Sequence, residues 1–471
     1  MRHISTRGEA PVLGFAEVML AGLARDGGLY VPEAWPRLEQ AAIAGFAGRP
    51  YAEVAMEVMR PFVGDAIGDA DLARMTREAY GNFRHPAVAP LAQLGANTFA
   101  LELFHGPTLA FKDLAMQLLA RLMDHVLAVR GERRTIVVAT SGDTGGAAVE
   151  AFRNSSQVDL VVLFPKGRIS DVQRRMMTTA DAANIHAVAI DGTFDDCQAI
   201  VKGLFNHSAF RDRVHLSGVN SINWARIVAQ TVYYFTAAVA LGAPRRKIAF
   251  TVPTGNFGDV YAGYVAQRLG LPIDRLVIAT NVNDILTRTL ATGTYELRDV
   301  VPTTSPSMDI QISSNFERLL FDANDRDAGA VRALMGSLAQ SRRFTLSAHA
   351  LSQIRASFSA DRADEEEVAA TMRAVKRETG NFVDPHTAVG IAVAEKETRD
   401  PAVPMVVLST AHAAKFPDAV EAACGTRPAL PEWLSHLNQR PEHVTALPDD
   451  QSAVEHFVLS TSRAAQEGAA A

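Results

Sequence analysis

The chain has 471 residues, 48% hydrophobic and 21% charged, which is the composition of an ordinary globular protein and not of a disordered or fibrous one. Its formal net charge of −6, with both signs scattered along the chain, argues against binding to nucleic acid or to an anionic membrane. Only two cysteines are present and the first residues lack the apolar stretch of a signal peptide, so we expect a cytoplasmic protein without disulfides or a cysteine-based metal site.

The order of apolar patterns predicts four segments. Residues 1–96 are predicted to form an N-terminal domain of helices and turns. Residues 97–280 alternate short β-rich runs with helical patterns, which predicts an α/β core with mainly parallel sheets covered by helices. Residues 281–380 are expected to be a largely helical insertion, and residues 381–471 return to the core. The predicted strands are 98–103, 135–140, 159–164, 185–190, 247–252, 275–280 and 404–408, and the predicted core helices are 114–129, 171–179, 194–205, 222–241 and 260–269.

The first loop with unusual chemistry places Lys112 at the start of a helix, in His105-Gly-Pro-Thr-Leu-Ala-Phe-Lys-Asp113. A lysine in the first helical turn is unfavourably placed, because the helix dipole favours anions there. One interpretation is an exposed lysine balanced by Asp113. The other is that desolvation disfavours its protonated form, which suits a nucleophilic or Schiff-base lysine. This loop alone does not separate the two.

Two further loops, Thr140-Ser-Gly-Asp-Thr-Gly-Gly146 and Pro253-Thr-Gly-Asn-Phe-Gly-Asp259, each join a strand to a helix. Glycines, hydroxyls and free amides at a helix N-terminus can bind an anion, although a capped tight turn explains the first loop equally well. The second loop suits a phosphate. We expect the Asp259 side chain to cap the helix, because it would repel a phosphate if it pointed inward. A reactive lysine and two anion sites would together suit a carbonyl cofactor bearing phosphate and an amino-acid substrate.

Motifs spread over nearly the whole chain carry a family resemblance. They are Ile4-Ser-Thr-Arg-Gly8, Asp26-Gly-Gly-Leu-Tyr-Val-Pro32, Phe104-His-Gly-Pro-Thr-Leu-Ala-Phe-Lys-Asp113, Ala139-Thr-Ser-Gly-Asp-Thr-Gly145, Pro253-Thr-Gly-Asn-Phe-Gly-Asp259, Ser313-Ser-Asn-Phe-Glu-Arg318, Asp384-Pro-His-Thr387 and Ser409-Thr-Ala-His412. In this order they resemble the threonine synthase family, in its longer bacterial and fungal branch. The resemblance implies the fold-type II architecture of tryptophan synthase β-like enzymes and pyridoxal 5'-phosphate as the cofactor.

The resemblance also implies roles at the cofactor. Lys112 would carry the cofactor as a Schiff base and move protons at the substrate carbons. Thr410 would face the pyridine nitrogen, with a strand-end cap as the alternative, and Asp143 is a candidate for the ring hydroxyl. His412 is expected to be structural. The residues implied for the cofactor phosphate are Gly255, Asn256, Phe257, Gly258 and Asp259.

The implied reaction converts O-phospho-L-homoserine and water to L-threonine and phosphate, the last step of threonine biosynthesis. Ser141 and Thr144 would bind the substrate carboxylate. Candidates for the substrate phosphate are Lys166, Arg168 and Arg318, each of which could instead be a solvated surface charge. We expect a monomer or homodimer that binds neither nucleic acid nor membrane. The alternatives are a related phospho-lyase that releases a keto acid, and a binding module without activity, against which an intact Lys112 argues.

Overall fold

The computed structural model describes residues 1–470, which form four sheets, twenty α-helices and five short 3₁₀ helices. The strands are β1 (His3–Ser5), β2 (Tyr30–Pro32), β3 (Leu91–Gly95), β4 (Thr98–Glu102), β5 (Arg134–Ala139), β6 (Val158–Pro165), β7 (Ile185–Asp191), β8 (Leu216–Ser217), β9 (Ile248–Pro253), β10 (Ile273–Thr280), β11 (Thr294–Glu296), β12 (Arg343–Thr345), β13 (Phe358–Arg362), β14 (Met405–Ser409) and β15 (Thr445–Pro448).

The first ten helices are α1 (Phe15–Ala21), α2 (Gln40–Ala44), α3 (Tyr51–Val63), α4 (Asp69–Tyr80), α5 (Lys112–Arg130), α6 (Asp143–Phe152), α7 (Asp171–Thr178), α8 (Phe194–Asn206), α9 (Ser208–Arg213) and α10 (Trp224–Ala240). The next ten are α11 (Gly258–Arg268), α12 (Ile285–Thr292), α13 (Phe316–Ala323), α14 (Ala328–Ser341), α15 (Ala348–Ser357), α16 (Glu365–Thr379), α17 (Pro385–Lys396), α18 (Pro417–Cys424), α19 (Gln451–Thr461) and α20 (Arg463–Ala470). The 3₁₀ helices are Gly64–Ala66, Pro306–Met308, Ala413–Lys415, Glu432–Leu434 and Leu437–Gln439.

A six-stranded sheet, in the order β13-β10-β9-β14-β4-β3, forms one half of the core. Its strands are parallel except for β3, which pairs antiparallel with β4. Alternate residues of β14 belong to different hydrophobic clusters: Val406 and Leu408 pack with residues of α10 and α11, whereas Met405 and Val407 pack with residues of α16 and α17. The sheet is therefore covered on both faces, as its continuous apolar strands require.

A five-stranded sheet, in the order β15-β7-β6-β5-β8, forms the other half, and all its pairings are parallel. The C-terminal residues are tied to it. Arg463 forms an ion pair with the buried Asp159 of β6, and the hydroxyls of Ser462 and Thr135 are 2.7 Å apart. Within residues 1–470, no helix is both long and apolar enough to cross a membrane.

The predicted core strands and helices are present, with ends within a few residues of those expected. Residues 281–380 are largely helical, as expected, but they also contain β13, which was not predicted and which pairs in parallel with β10 at the edge of the six-stranded sheet. The strand β15 was not predicted, and it extends the second sheet beside β7. Both segments therefore complete the core and are more than additions to it.

Candidate functional site

Lys112 lies where the two sheets meet. It is the first residue of α5, after β4 of one sheet, and its Nζ is 3.3 Å from Oδ2 of Asp143, the first residue of α6, after β5 of the other sheet. The backbone N–H of Phe111 donates to the carbonyl of Thr410, which follows β14. The carboxyl ends of three parallel strands thus meet at this lysine, where open α/β sheets place ligands.

Asp143 joins two lysines. Its Oδ1 is 2.7 Å from Nζ of the buried Lys415 and accepts a hydrogen bond from Gln173 at 3.0 Å. Burial acts to raise the pKa of Asp143, but Lys415 and Lys112 hold it well below its usual range. Burial lowers the pKa of Lys112; Asp143 opposes this, and the charges of Lys415 and Arg226 add to the lowering. Lys112 therefore loses its proton more readily than an exposed lysine.

Asp113 does not balance Lys112, so that interpretation of the first loop was wrong. Its carboxylate is fully buried and accepts hydrogen bonds from the N–H and the hydroxyl of Thr108, at 2.7 and 2.6 Å. A Cβ on Gly106 would lie 2.5 Å from the Asp113 Cβ, so glycine is needed for this approach. The hydrogen bonds between Thr108 and Asp113 stabilise the turn that precedes Lys112.

In the loop after β5, the side chain of Thr140 is hydrogen-bonded to the backbone of the same loop. The Thr140 hydroxyl accepts hydrogen bonds from the N–H groups of Gly142 and Gly145, both at 2.9 Å. The N–H groups of Ser141, Asp143 and Thr144 donate to no backbone carbonyl within residues 1–470. The tight turn expected from the sequence is thus present and is closed by Thr140, whereas an anion site at the unpaired amides of this loop stays a prediction.

The loop after β9 leaves its amides free. Within the part of the chain that the structure describes, the N–H groups of residues 255–259 donate to no backbone carbonyl. Phe257 has a left-handed φ of 64°, and α11 begins at Gly258. Five amides at a helix N-terminus are the donor set that binds a phosphate.

Neighbouring segments hold this loop from behind. The Ser313 hydroxyl donates to the Gly255 carbonyl at 2.6 Å, and Asn315 donates from its N–H and its side chain to the Asn256 carbonyl at 3.1 and 2.9 Å. A Cβ on Gly255 would lie 2.4 Å from the Ser307 carbonyl oxygen. The loop is therefore packed too tightly for a side chain at residue 255.

The expectation that Asp259 caps α11 was wrong. No side chain caps this helix, and the Asp259 carboxylate accepts hydrogen bonds through Oδ1 from the hydroxyls of Tyr233 and Tyr234 of α10. Burial raises the pKa of Asp259 to about 7, against lowering effects of both tyrosines and of Lys112. The carboxylate is thus bound by two buried phenols and leaves the amides at the start of α11 unpaired.

Arg226 is a buried cation that the sequence analysis did not single out. It is 2% exposed, its Nη1 donates to the Val219 carbonyl at 3.1 Å, and its Nε is buried without an acceptor. No carboxylate in residues 1–470 forms a salt bridge with it, and burial lowers its pKa to about 10. A buried guanidinium without an anion is costly, which marks this position for an anionic ligand.

Every guanidinium nitrogen of Arg318 bonds to an acceptor within the protein, so the structure does not favour the substrate contact predicted for it. Arg318 is fully buried and donates to the carbonyls of Tyr30 and Ile222 at 3.0 and 2.7 Å. Its Nη1 also donates to Oδ1 of Asn315. Its guanidinium thus supports the asparagine behind the phosphate loop. Burial lowers its pKa to about 10 as well, but, unlike that of Arg226, all its nitrogens have partners.

Thr410 and His412 are bonded to the loop that precedes Lys112, whereas Lys166 and Arg168 lie in a different loop. Thr410 is buried at the end of β14. His412 caps the 3₁₀ helix Ala413–Lys415 by accepting from the Ala414 N–H, which is the structural role expected for it. Lys166 and Arg168 are exposed in the loop after β6. That loop leads to Ser170, whose hydroxyl donates to the Lys415 carbonyl at 3.3 Å, so it borders the site.

The residues missed by sequence reasoning are Lys415, Gln173 and Arg226. A signal existed for two of them, since Lys415 lies three residues after the Ser409–His412 motif and Arg226 lies within an apolar helical pattern. Charged residues in apolar surroundings are rarely buried without a partner or a function. Gln173 carried no such signal, because it lies in an ordinary amphipathic helix.

Three family models match the chain: "Threonine synthase N terminus" over residues 2–80, "Pyridoxal-phosphate dependent enzyme" over residues 83–340, and "Threonine synthase, C-terminal" over residues 387–458. A threonine synthase of Pseudomonas aeruginosa is 52% identical over 459 residues, which are 97% of this chain and 98% of that protein. A protein of Rattus norvegicus named threonine synthase-like 2 is 35% identical over 95% of this chain and 94% of its own length.

Solved structures agree with these matches. The crystal structure of PLP-bound threonine synthase from Brucella melitensis superposes with a TM-score of 0.96 at 61% identity, covering 98% of this chain and 100% of that one. The threonine synthase from yeast superposes with a TM-score of 0.92 at 36% identity, covering 98% of each chain. The similarity thus extends over both sheets and the segments that complete them.

Proposed function

The chain belongs to the threonine synthase family of pyridoxal-phosphate enzymes, and from this premise we propose which of its residues bind the cofactor and convert O-phospho-L-homoserine and water to L-threonine and phosphate. The observation that carries the proposal is the position of Lys112, a lysine of lowered pKa between the two sheets. Five unused amides lie in a neighbouring loop of the same core.

The residues present fit pyridoxal phosphate. The amides of residues 255–259 would bind its phosphate, the Lys112 amine would hold its aldehyde carbon, and Thr410 would face its ring nitrogen. Asp143 is a candidate for the ring hydroxyl. The free amides support the first assignment, because their donors have no backbone acceptor within residues 1–470. When bound, the cofactor supplies an electron sink that acidifies the C–H bonds next to the substrate's amino group.

Lys112 is the proposed acid and base at the substrate carbons. Its lowered pKa increases the fraction of free amine at neutral pH, which a general base requires. Asp143 holds the Lys112 Nζ in place at 3.3 Å and is itself held by Lys415. The three charges form a buried chain in which a proton lost from Lys112 leaves the Asp143–Lys415 pair intact.

The substrate offers two anionic groups. Its carboxylate would bind the free amides of Ser141, Asp143 and Thr144, as the sequence predicted for this loop. For its phosphate we propose Arg226, whose buried guanidinium has no carboxylate partner in residues 1–470 and whose charge acts on Lys112. Lys166 and Arg168, exposed at the neighbouring strand end, would attract the substrate from solvent.

An assay of the purified protein with O-phospho-L-homoserine tests the function. Threonine, phosphate and 2-oxobutyrate are followed together, with Lys112→Ala as the control. Equal amounts of threonine and phosphate, absent in Lys112→Ala, are expected. Phosphate with 2-oxobutyrate and no threonine would instead identify a phospho-lyase.

Location and assembly are proposals of the same kind. We expect the protein in the cytoplasm, as a monomer or homodimer that acts on a small molecule. Both cysteines are free thiols, which suits a reducing compartment. Light scattering of the purified protein measures the assembly state directly.

A further inference from the structure

Asp259 occupies an unusual position for a carboxylate. It is the second residue of α11, and its own N–H is one of the five free amides of residues 255–259. Its side chain is turned away from that loop into the interior. The residue thus carries a buried acid directly behind the amides to which a phosphate dianion is proposed to bind.

The surroundings of this carboxylate contain hydroxyls and no ion pair. Oδ1 accepts hydrogen bonds from Tyr233 and Tyr234, and the Tyr234 hydroxyl also lies 2.9 Å from the Asp259 carbonyl. Oδ2 is buried without any hydrogen-bond partner in the described chain. Among residues 1–470 no lysine or arginine forms a salt bridge with it. An ionised carboxylate in such a place is costly, whereas a neutral acid is not.

The charged and titratable groups around Asp259 and its two tyrosine partners come from three helices. Tyr233 and Tyr234 lie on α10, and Tyr51 of α3 faces Tyr233. Two cations are near: Lys112 of α5 acts on Asp259 itself, and the buried Arg226 of α10 interacts with Tyr233. The tyrosines are buried and their pKa values are raised well above 10, so they stay neutral donors. A phosphate on the loop would add two negative charges beside a buried carboxylate that has no ion-pair partner in residues 1–470.

We propose that Asp259 takes up a proton from solvent when a phosphate dianion occupies the amides of residues 255–259, so that the acid behind the bound phosphate is neutral. The inference rests on the proposed binding of the cofactor phosphate at this loop. One proton adds to the carboxylate, no other bond changes, and Tyr233 and Tyr234 keep the acid oriented away from the phosphate. Burial already raises the pKa of Asp259 to about 7, and the nearby dianion raises it further, so that the acid is neutral in the loaded protein.

Calorimetric titration of the cofactor-free protein with pyridoxal phosphate at pH 8, in buffers of different ionisation enthalpy, counts the protons exchanged. At this pH Asp259 is mostly ionised in the free protein, and protons released elsewhere are common to the wild type and to Asp259→Asn. The wild type is expected to take up nearly one proton more than Asp259→Asn. The variant is expected to bind the cofactor up to about 10-fold more tightly, because it has no proton to acquire.

Tyr233→Phe supplies a second variant. It removes a donor that favours the ionised carboxylate, so Asp259 is protonated earlier and the uptake at pH 8 falls between those of the wild type and Asp259→Asn. Thermal unfolding of both variants, compared with the wild type, checks that they are folded. Equal proton counts in the wild type and Asp259→Asn, or weaker cofactor binding by the asparagine variant, would overturn the inference alone. Failure of the wild type to bind pyridoxal phosphate would overturn the proposed function with it.

Discussion

Two loops of the core begin with a threonine after a buried parallel strand, yet the two hydroxyls are used in opposite ways. After β5, the Thr140 hydroxyl accepts hydrogen bonds from two amides of its own loop. After β9, the Thr254 hydroxyl donates to the Val252 carbonyl of its own strand at 2.6 Å and leaves the amides of residues 255–259 free. Thr140 thus occupies two amides of its own loop, and we call residues 140–146 the closed loop. Thr254 occupies none, and we call residues 254–259 the open loop.

The two loops also differ in the charges and donors that they would present to a bound anion. The loop after β5 is closed by Thr140 and contributes Asp143, a permanent charge balanced by Lys112 and Lys415. The loop after β9 contributes donors and turns its carboxylate, Asp259, to the interior. The unpaired amides of the second loop therefore suit a dianion, whereas the first loop positions Lys112 through Asp143.

The largest expected effect is at the open loop. Gly255→Ala would place a Cβ 2.4 Å from the Ser307 carbonyl oxygen and displace the amides. We expect kcat to fall roughly 100-fold or more, as for a displacement of about 1 Å in a reacting site. The cofactor should also be lost on dialysis, which its absorbance measures.

Gly336→Ala is the matched control, because Gly336 lies inside α14 with no atom within 4 Å of an added Cβ. It should retain the cofactor and gain about 0.5–1 kcal/mol of stability. If Gly255→Ala retained the cofactor as firmly as Gly336→Ala, the loop after β9 would not be the phosphate site.

A second change breaks the charge balance at the closed loop. Lys415→Met leaves Asp143 buried with Lys112 as its one remaining cation, and we expect a loss of about 3–5 kcal/mol in the free energy of unfolding. The pKa of Lys112 should rise as well, since Lys415 no longer repels its proton. Denaturant unfolding and the pH dependence of the rate measure the two effects.

Lys247→Met removes an exposed lysine that lies 3.5 Å from Asp274, and it serves as the control. Its effect should stay within about 1 kcal/mol. Equal effects of the two substitutions would contradict a role for Lys415 in holding Asp143.

A third change opens the closed loop. Thr140→Val keeps the shape of the side chain and removes the acceptor of two buried amides, so we expect a stability loss of about 1–3 kcal/mol. Because Asp143 begins the helix that this turn introduces, the KM for O-phospho-L-homoserine should rise. An unchanged KM would show that the turn does not position the substrate.

The smallest effect is expected at the open loop's threonine. Thr254→Val removes one donor to a strand carbonyl, which costs about 0.5–1.5 kcal/mol, and leaves the amides untouched. Cofactor affinity should therefore be unchanged in a direct titration. A large loss of affinity would mean that the hydroxyl itself contacts the phosphate.

The sequence was sufficient for much of this arrangement. The buried runs that became β5, β6, β9 and β10 have the continuous apolar pattern of parallel strands, and the two glycine loops directly follow β5 and β9. The direction of a threonine hydroxyl was not predictable, because it depends on which backbone groups the folded loop leaves unpaired.

Other features depend on contacts between distant residues. Asp259 meets Tyr233, 26 positions earlier in the chain, and Asp143 meets Lys415 from another segment altogether. The strand β13 was missed because Phe358–Arg362 is only partly apolar, as suits the edge of a sheet. Local sequence patterns therefore predicted helices, strands and loops, whereas the contacts between side chains distant in sequence could be identified only in the folded structure.

The central claim is that Lys112, and not the neighbouring Lys415, holds the cofactor. Both amines contact Asp143, so reduction of the cofactor-loaded protein with borohydride followed by peptide mass mapping separates them. We predict a pyridoxyl phosphate group on the peptide that contains Lys112 and none on the peptide that contains Lys415. A label on Lys415, or its persistence in Lys112→Ala, would contradict the account.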